Sequence, residues 1–121
     1  MRIVVIGYGK IGQVITEQLT KEGHNVIVID TKEACLTAAQ NDFDVMCVQG
    51  NGANQDTLIA AKIQTSDLLI AVTGGDELNL LCCLLAKKLG VRKTMARVRN
   101  PEYKSELSMI SEELGLSMVL N

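Results

Sequence analysis

The sequence predicts an α/β fold in which helices cover both faces of a doubly wound, six-stranded parallel sheet. Three observations support this prediction. Short apolar runs alternate with helical patterns along all 121 residues, and the connections between them are short. Hydrophobic residues make up 47% of the chain and aromatic residues only 2%. An aliphatic core of this kind suits strands that are buried on both faces, and each parallel crossover needs a helix.

Strands are predicted where apolar residues run together between turn residues. The first is RIVVI, which meets a glycine-rich turn, and the second is NVIVID, which ends in Asp30. DVMCVQ, DLLIAV and TMARV follow, before a short sixth strand. The six predicted strands are residues 2–6, 25–30, 44–49, 67–72, 94–98 and 117–120.

Helices are predicted from apolar residues three and four positions apart and from capping residues. Thr31 and Asp76 are expected N-caps, and Asn100 is expected to cap a last helix that has Pro101 in its first turn. The five predicted helices are residues 10–22, 32–41, 55–61, 77–89 and 101–114. We expect residues 1–121 to form one domain, because a chain of this length can bury a self-sufficient core.

Charge and composition argue against several classes of protein. The net charge is -2 and the pI is near 5.3, without a block of like charges, so no nucleic-acid partner is expected. No apolar run approaches the roughly 18 residues of a membrane span, and the first one is too short for a signal peptide. Insertion into a membrane is therefore not expected, and a cytoplasmic location is. Four cysteines without C-x-x-C spacing and a single histidine predict reduced, buried thiols and no metal site.

Residues 7–12, GYGKIG, form a G-x-G-x-x-G motif between the first predicted strand and the first helix. Gly7 allows the tight turn, Gly9 lets a pyrophosphate approach the backbone, and Gly12 lets the helix pack closely. The free N–H groups at the helix start can then receive the anion. Asp30, eighteen residues after Gly12, is placed to accept hydrogen bonds from ribose hydroxyls and argues against a 2′-phosphate. This context predicts a Rossmann-like nucleotide site.

A second part of the site is expected after the fourth strand, where the strand order of a doubly wound sheet reverses. In this loop Gly74 admits a close ligand and Thr73 offers a hydroxyl, so the distal half of a dinucleotide or a terminal phosphate is expected here. The alternative is a plain Gly-Gly turn. Lys10 either reaches a phosphate oxygen or points to solvent, and Lys32 either meets a 2′-phosphate or is a solvated helix start.

No catalytic group is expected beside this site. His24 falls in a helix-to-strand turn at the opposite edge of the sheet, and proton transfer requires a group within reach of the ligand. Tyr103 has Leu107 four residues on, so the tyrosine–lysine pair of short-chain dehydrogenases is missing. We therefore expect no enzyme activity and a role that depends on conformational change. The alternative is the cofactor-binding fragment of an NAD-dependent oxidoreductase.

The helix predicted at residues 77–89 has no polar face in its middle, which reads LLCCLLA. A helix that is apolar all round is buried. Either a second subunit covers it, together with Tyr103, Met109 and Ile110 of the last helix, or its own neighbours do.

Four segments of the sequence together resemble the nucleotide-binding N-terminal lobe of KTN/RCK (TrkA-N) domains, as in the TrkA-type regulatory subunits of Trk potassium-uptake systems. They are VIGYGKIGQVITEQLTKEGHNVIVID, VQGNGANQDTL, DLLIAVTGGDELNLLCCLLAKKLG and ARVRNPEY. The resemblance implies that residues 1–121 are one domain of a longer chain. It also implies that this domain binds NAD(H), or else ATP or ADP, and controls potassium flux by conformational change. As partners it implies a homodimer or higher oligomer and a membrane-embedded potassium transporter subunit, on the cytoplasmic face of the membrane.

The resemblance also implies particular ligand contacts. Residues 7–11 would hold the phosphates, Asp30 the ribose, and Asn51 with Ala53 the adenine. Arg97 would reach the phosphates or an adjoining subunit, and the loop after the fourth strand would approach the distal half of the ligand. Asn51 stands where many relatives carry aspartate. The expected site residues are Gly7, Tyr8, Gly9, Lys10, Ile11, Gly12, Asp30, Asn51, Ala53, Thr73, Gly74 and Arg97.

Overall fold

A computed structural model of the chain describes residues 1–120 and confirms the predicted α/β fold. Its six strands are β1 (Arg2–Ile6), β2 (Asn25–Asp30), β3 (Met46–Gln49), β4 (Leu68–Ala71), β5 (Lys93–Arg97) and β6 (Leu116–Leu120). They form one parallel sheet in the order β3-β2-β1-β4-β5-β6. The chain order therefore reverses between β1 and β4, the position at which such sheets open a crevice at the carboxyl ends of their strands.

Helices connect the strands. They are α1 (Lys10–Lys21), α2 (Glu33–Asp42), α3 (Gln55–Ala60), α4 (Asp76–Leu89) and α5 (Lys104–Ile110). The last predicted helix is wrong in its extent: a 3-10 turn at Pro101–Tyr103 precedes α5, and the chain turns after Ile110. The predicted cap is confirmed, because the side chain of Asn100 accepts a hydrogen bond from the N–H of Glu102. None of the helices within residues 1–120 has the length and apolarity that a bilayer crossing requires.

Thr31 does not cap α2, contrary to the expectation from its residue type. The N-cap position belongs to Lys32, whose own side chain makes no capping hydrogen bond within residues 1–120. Asp30 accepts the N–H of Lys32 at 2.9 Å instead, one residue earlier in the chain than predicted. The tight turn after β2 is therefore held by the same carboxylate that was expected to face the ligand.

Two apolar layers cover the sheet, and β1 lies at its centre with Ile3, Val4 and Val5 completely buried. Ile3 and Val5 pack on the side covered by α1 and α2, whereas Val4 faces the side covered by α3, α4 and α5. The helices thus cover both faces, as predicted. The buried thiols of Cys82 and Cys83 belong to the second layer, and burial raises their pKa values to about 12 and about 11.

Candidate nucleotide-binding site

The glycine loop after β1 is shaped by two glycines. Gly7 adopts φ +104°, which L side chains rarely adopt, and its N–H donates to the carbonyl oxygen of Ile29 at 2.8 Å. A Cβ on Gly12 would collide with the carbonyl oxygen of Gly7, so the first turn of α1 rests directly on the loop. Gly12 therefore brings the helix close, as predicted, but does not itself line the cavity described below.

Gly9 marks the open side of the loop. It is the N-cap of α1, and a Cβ built on it would meet no atom within 4 Å. Among residues 1–120 no side chain caps this helix start. The first N–H groups of a helix lack partners within the helix, and its dipole makes that end electropositive. The loop thus offers unobstructed donors to an anion.

Asp30 fastens the glycine loop to the end of β2. One carboxylate oxygen accepts the N–H of Tyr8 at 2.9 Å, and the other accepts the N–H of Lys32 at the same distance. Each oxygen of a carboxylate has a second acceptor direction. The half-buried carboxylate at the cavity wall therefore retains acceptor capacity for a ligand hydroxyl.

The side chain of Tyr8 turns into the core and leaves only its backbone at the site. The residue is 1% exposed and packs with the layer that contains Leu36 and Ala39. Its hydroxyl donates to a carboxylate oxygen of Asp42 at 3.3 Å. Burial and the nearby charge of Asp42 raise the pKa of Tyr8 to about 12, so the phenol remains protonated.

These parts surround a cavity of about 510 Å³, which lies at the carboxyl ends of the central strands. Ligand pockets commonly have volumes of roughly 300 to 1,000 Å³. All of the predicted site residues except Gly12 and Ala53 line this cavity. Ala53 contributes through the turn after β3, where its N–H donates to the side-chain oxygen of Asn51 at 2.8 Å. Sequence reasoning did not place Cys35 and Leu78 in the wall, but they also line it.

Arg97 brings a positive charge to the cavity from the end of β5. Its Nε is buried and, within residues 1–120, has no hydrogen-bond partner. A buried donor without a partner is rare and calls for an explanation. Arg97 also lines the cavity, so its guanidinium is a candidate partner for an anionic group there.

Asn79, which the sequence analysis also did not single out, bonds to two residues of the cavity wall. Its side-chain oxygen accepts from the N–H and the hydroxyl of Thr73, at 2.9 and 2.6 Å. Its amide nitrogen donates to the carbonyl oxygens of Thr73 and Arg97, at 3.2 and 2.8 Å. Asn79 is completely buried. The available signal was a single asparagine within the apolar pattern of residues 78–86.

Asp76 does not cap α4, because Gly75 is the N-cap and Asp76 is the first helical residue. Its carboxylate instead accepts the N–H groups of Arg99 and Asn100, at 3.1 and 2.8 Å. These hydrogen bonds hold the pKa of Asp76 below its usual value. The start of α4 is thus bound to the loop that follows β5.

His24 lies at the far end of the sheet, as predicted. Its Nδ1 is 3.0 Å from the amino group of Met1, and it immediately precedes the first residue of β2. The cavity lies beyond the last residues of the strands. The imidazole cannot therefore take part in chemistry at the cavity.

The outward side of α4 exposes apolar residues. Cys82, Cys83 and Ala86 are buried against the sheet of the same chain, so its own neighbours account for the middle of the helix. Leu78 and Leu81, in contrast, are 38% and 47% exposed. Leu78 also lines the cavity, which therefore opens beside this exposed stripe.

The parallel six-stranded sheet, its order and its glycine loop define a Rossmann-like domain of the nucleotide-binding type. The model of the TrkA-N domain family matches residues 3–121, and the chain belongs to this family. It is 34% identical over 110 residues to the "Trk system potassium uptake protein TrkA homolog" of Methanothermobacter thermautotrophicus, covering 91% of this chain and 51% of the relative. It is 37% identical over 120 residues to the homolog of Archaeoglobus fulgidus, covering 99% of this chain and 27% of the relative. The chain thus spans about half or less of the length of these relatives.

Solved structures share the fold. The TrkA-N domain of the inner membrane protein ybaL from Escherichia coli superposes with a TM-score of 0.84 at 22% identity, over 98% of this chain and 85% of that one. The GsuK channel bound to NAD gives a TM-score of 0.82 at 18% identity, over 98% of this chain and 21% of that one. GsuK bound to ADP gives 0.81 at 18% identity, over 98% and 30%.

Proposed function

We propose that this chain is the nucleotide-binding domain of a regulatory subunit of a Trk-type potassium transport system. It binds NAD(H) or an adenine nucleotide and controls potassium flux by conformational change. One observation carries the proposal: in a chain of the TrkA-N family, the glycine loop, Asp30 and Arg97 meet in a single cavity.

The proposed contacts follow from the chemistry of the cavity wall. The open N–H groups at residues 9–11 receive the ligand phosphates, because they are unobstructed and lie at the positive end of α1. Asp30 accepts from the ribose hydroxyls. Asn51 and Ala53 flank the adenine, while the loop at residues 73–74 and Arg97 receive the distal part of the ligand.

The structure of the cavity favours a ligand without a 2′-phosphate. Asp30 would face such a group, and two like charges about 4 Å apart repel by roughly 1 to 4 kcal/mol at effective dielectric constants of 80 to 20. NAD and ADP, which GsuK binds, both lack this phosphate and share the adenosine half. NAD(H) is therefore the first candidate, with ATP or ADP as the second.

Regulation requires contacts with other chains. We place a second copy of the chain on the exposed stripe of Leu78 and Leu81. Because Leu78 also lines the cavity, a bound ligand could change the contact between this stripe and the partner copy. A membrane-embedded potassium transporter subunit is the partner of the assembled domain, which would then lie on the cytoplasmic face of the membrane. The role is regulatory and not enzymatic.

Isothermal titration calorimetry with NADH, NAD, ATP, ADP and NADPH tests the proposal. We expect micromolar to submillimolar binding of NADH or of an adenine nucleotide, and weaker binding of NADPH than of NADH. Absence of binding by all five at millimolar concentration would refute it. Steady consumption of NADH with a carbonyl substrate would instead favour an oxidoreductase fragment.

A further inference from the structure

Asn79 connects the two loops that form the distal wall of the cavity. Through the oxygen and nitrogen of its side-chain amide it bonds to the backbone of Thr73, after β4, and through the nitrogen also to the carbonyl oxygen of Arg97, at the end of β5. Its position in the first turns of α4 places it beneath both strand ends. One buried side chain therefore sets how far these loops lie from each other.

The hydrogen bonds of Asn79 use all of the capacity of a primary amide. Both N–H donors have carbonyl acceptors, and the oxygen accepts twice. At 2.6 Å, the hydroxyl proton of Thr73 is committed to Asn79. The hydroxyl oxygen of Thr73 is thereby fixed in orientation, and it accepts from the N–H of Gly75 at 3.3 Å.

The proximal part of the cavity is held by different bonds. The glycine loop depends on Asp30, which bonds to the backbone of Tyr8 and Lys32. No hydrogen bond within residues 1–120 joins Asn79 to these residues. A change at Asn79 should consequently alter the distal wall and leave the proximal wall in place.

We propose that Asn79 is a positioning residue that holds Thr73 and Arg97 at the separation required by the distal part of the ligand. The inference rests on the proposed nucleotide-binding function. Asn79 touches no ligand in this scheme. It fixes the β5 end from which the guanidinium of Arg97 approaches an anionic group in the cavity.

The test compares Asn79→Asp with the unmodified chain in calorimetric titrations of AMP, ATP and NADH. Aspartate has nearly the same shape and keeps the acceptor for Thr73, but it turns an oxygen toward the carbonyl oxygens of Thr73 and Arg97. We expect the affinities for ATP and NADH to fall about tenfold or more, the loss of one net hydrogen bond. The affinity for AMP, which reaches only the proximal wall, should change less than about twofold.

Cys82→Ala is the matched control, because Cys82 is a completely buried residue of the same helix that does not line the cavity. It should lower the melting temperature and leave the ratio of AMP to NADH affinity unchanged. If Asn79 had a purely structural role, Asn79→Asp would likewise lower the melting temperature and leave the ratio of AMP to NADH affinity unchanged. An Asn79→Asp chain that loses affinity equally for all three ligands, or for none, would therefore overturn the inference.

A second measurement covers the case in which Asn79→Asp does not fold. In the unmodified chain, NADH or ATP should shift the NMR resonances of the Asn79 side-chain amide and the Thr73 backbone amide, and AMP should not. Equal shifts with AMP, or no shifts with any bound ligand, would also overturn the inference. Failure of the unmodified chain to bind any of these nucleotides would instead refute the proposed function itself, and the inference with it.

Discussion

The backbone N–H of Tyr8 donates a 2.9 Å hydrogen bond to a carboxylate oxygen of Asp30, twenty-two residues further along the chain. This bond joins the loop proposed to hold the ligand phosphates to the side chain proposed to hold the ribose. The two halves of the proximal site are therefore one unit. A change in Asp30 should disturb both.

Replacing Asp30 by alanine should weaken binding of NADH or of the adenine nucleotide by about 1 to 3 kcal/mol, the cost of lost charged hydrogen bonds. Asparagine should not rescue binding. Both carboxylate oxygens accept a backbone N–H, so the amide nitrogen of Asn would face an N–H group at one of the two positions. Calorimetry of both variants checks this. Asp56→Asn, in the first turn of α3, is the control, and wild-type affinity in Asp30→Asn would contradict the prediction.

Alanine at Gly12 should mainly lower stability, whereas alanine at Gly9 should mainly weaken ligand binding. A Cβ on Gly12 collides with the Gly7 carbonyl, so Gly12→Ala should lose about 1 to 3 kcal/mol of unfolding free energy. A Cβ on Gly9 meets no atom of residues 1–120 within 4 Å, so Gly9→Ala should keep an unfolding free energy within about 0.5 kcal/mol of that of the unmodified chain. It should nevertheless weaken ligand binding, because the methyl group occupies the phosphate approach. Urea denaturation and calorimetry separate these effects, and a Gly9→Ala chain that binds normally would exclude the proposed phosphate position.

Tyr8 should make stability depend on pH in the alkaline range. Its pKa rises from 10.0 in the unfolded chain to about 12 in the fold. Between these values the folded state binds more protons than the unfolded state, so this contribution is complete below pH 10 and is lost as the pH rises toward 12. Tyr8→Phe removes it. Melting temperatures from pH 9 to 12 should fall more steeply for the unmodified chain than for Tyr8→Phe, and parallel curves would contradict the prediction.

Leu81→Glu should dissociate the proposed assembly without unfolding the domain. Leu81 is 47% exposed on α4, so a charge there is tolerated by the single chain but is costly in an apolar contact between copies. Sedimentation velocity at micromolar concentrations should show monomers, with an unchanged circular dichroism spectrum. Val14→Glu, at a residue 65% exposed on α1 and across the sheet, should keep the assembly. If Leu81→Glu sediments like the unmodified chain, the contact between copies does not lie on the stripe of Leu78 and Leu81, and the prediction is wrong.

The sequence predicted the central fold and the glycine loop well because both depend on local signals. The buried strand β1, the turn at Gly7 and the start of α1 follow each other within a few residues, and each has a steric reason that its own residues carry. Asp30 was found by its fixed distance from the motif. These features can be predicted without knowing which residues pack on the other side of the sheet.

The wrong caps and the missed residue depend on partners that are distant in sequence. Asp76 is a good N-cap by type, yet its carboxylate bonds to the N–H groups of Arg99 and Asn100, which the fold brings from the next strand end. Asn79 bonds to a carbonyl eighteen residues away, at Arg97. The helix and capping propensities of single residues cannot identify such hydrogen-bond partners, because the partners come together only after β4 and β5 have paired.

The burial of β1 has a consequence for which parts of the domain can move. Ile3 to Val5 are completely buried and lie between two hydrogen-bonded neighbours, so their amide hydrogens should exchange with solvent only when the whole domain unfolds. The glycine loop extends directly from this protected strand, so we expect it to be the stationary part of the domain. Under the proposed function, a displacement produced by a nucleotide would then be accommodated on the other side of the crevice, where α4 and the end of β5 would move relative to a fixed centre.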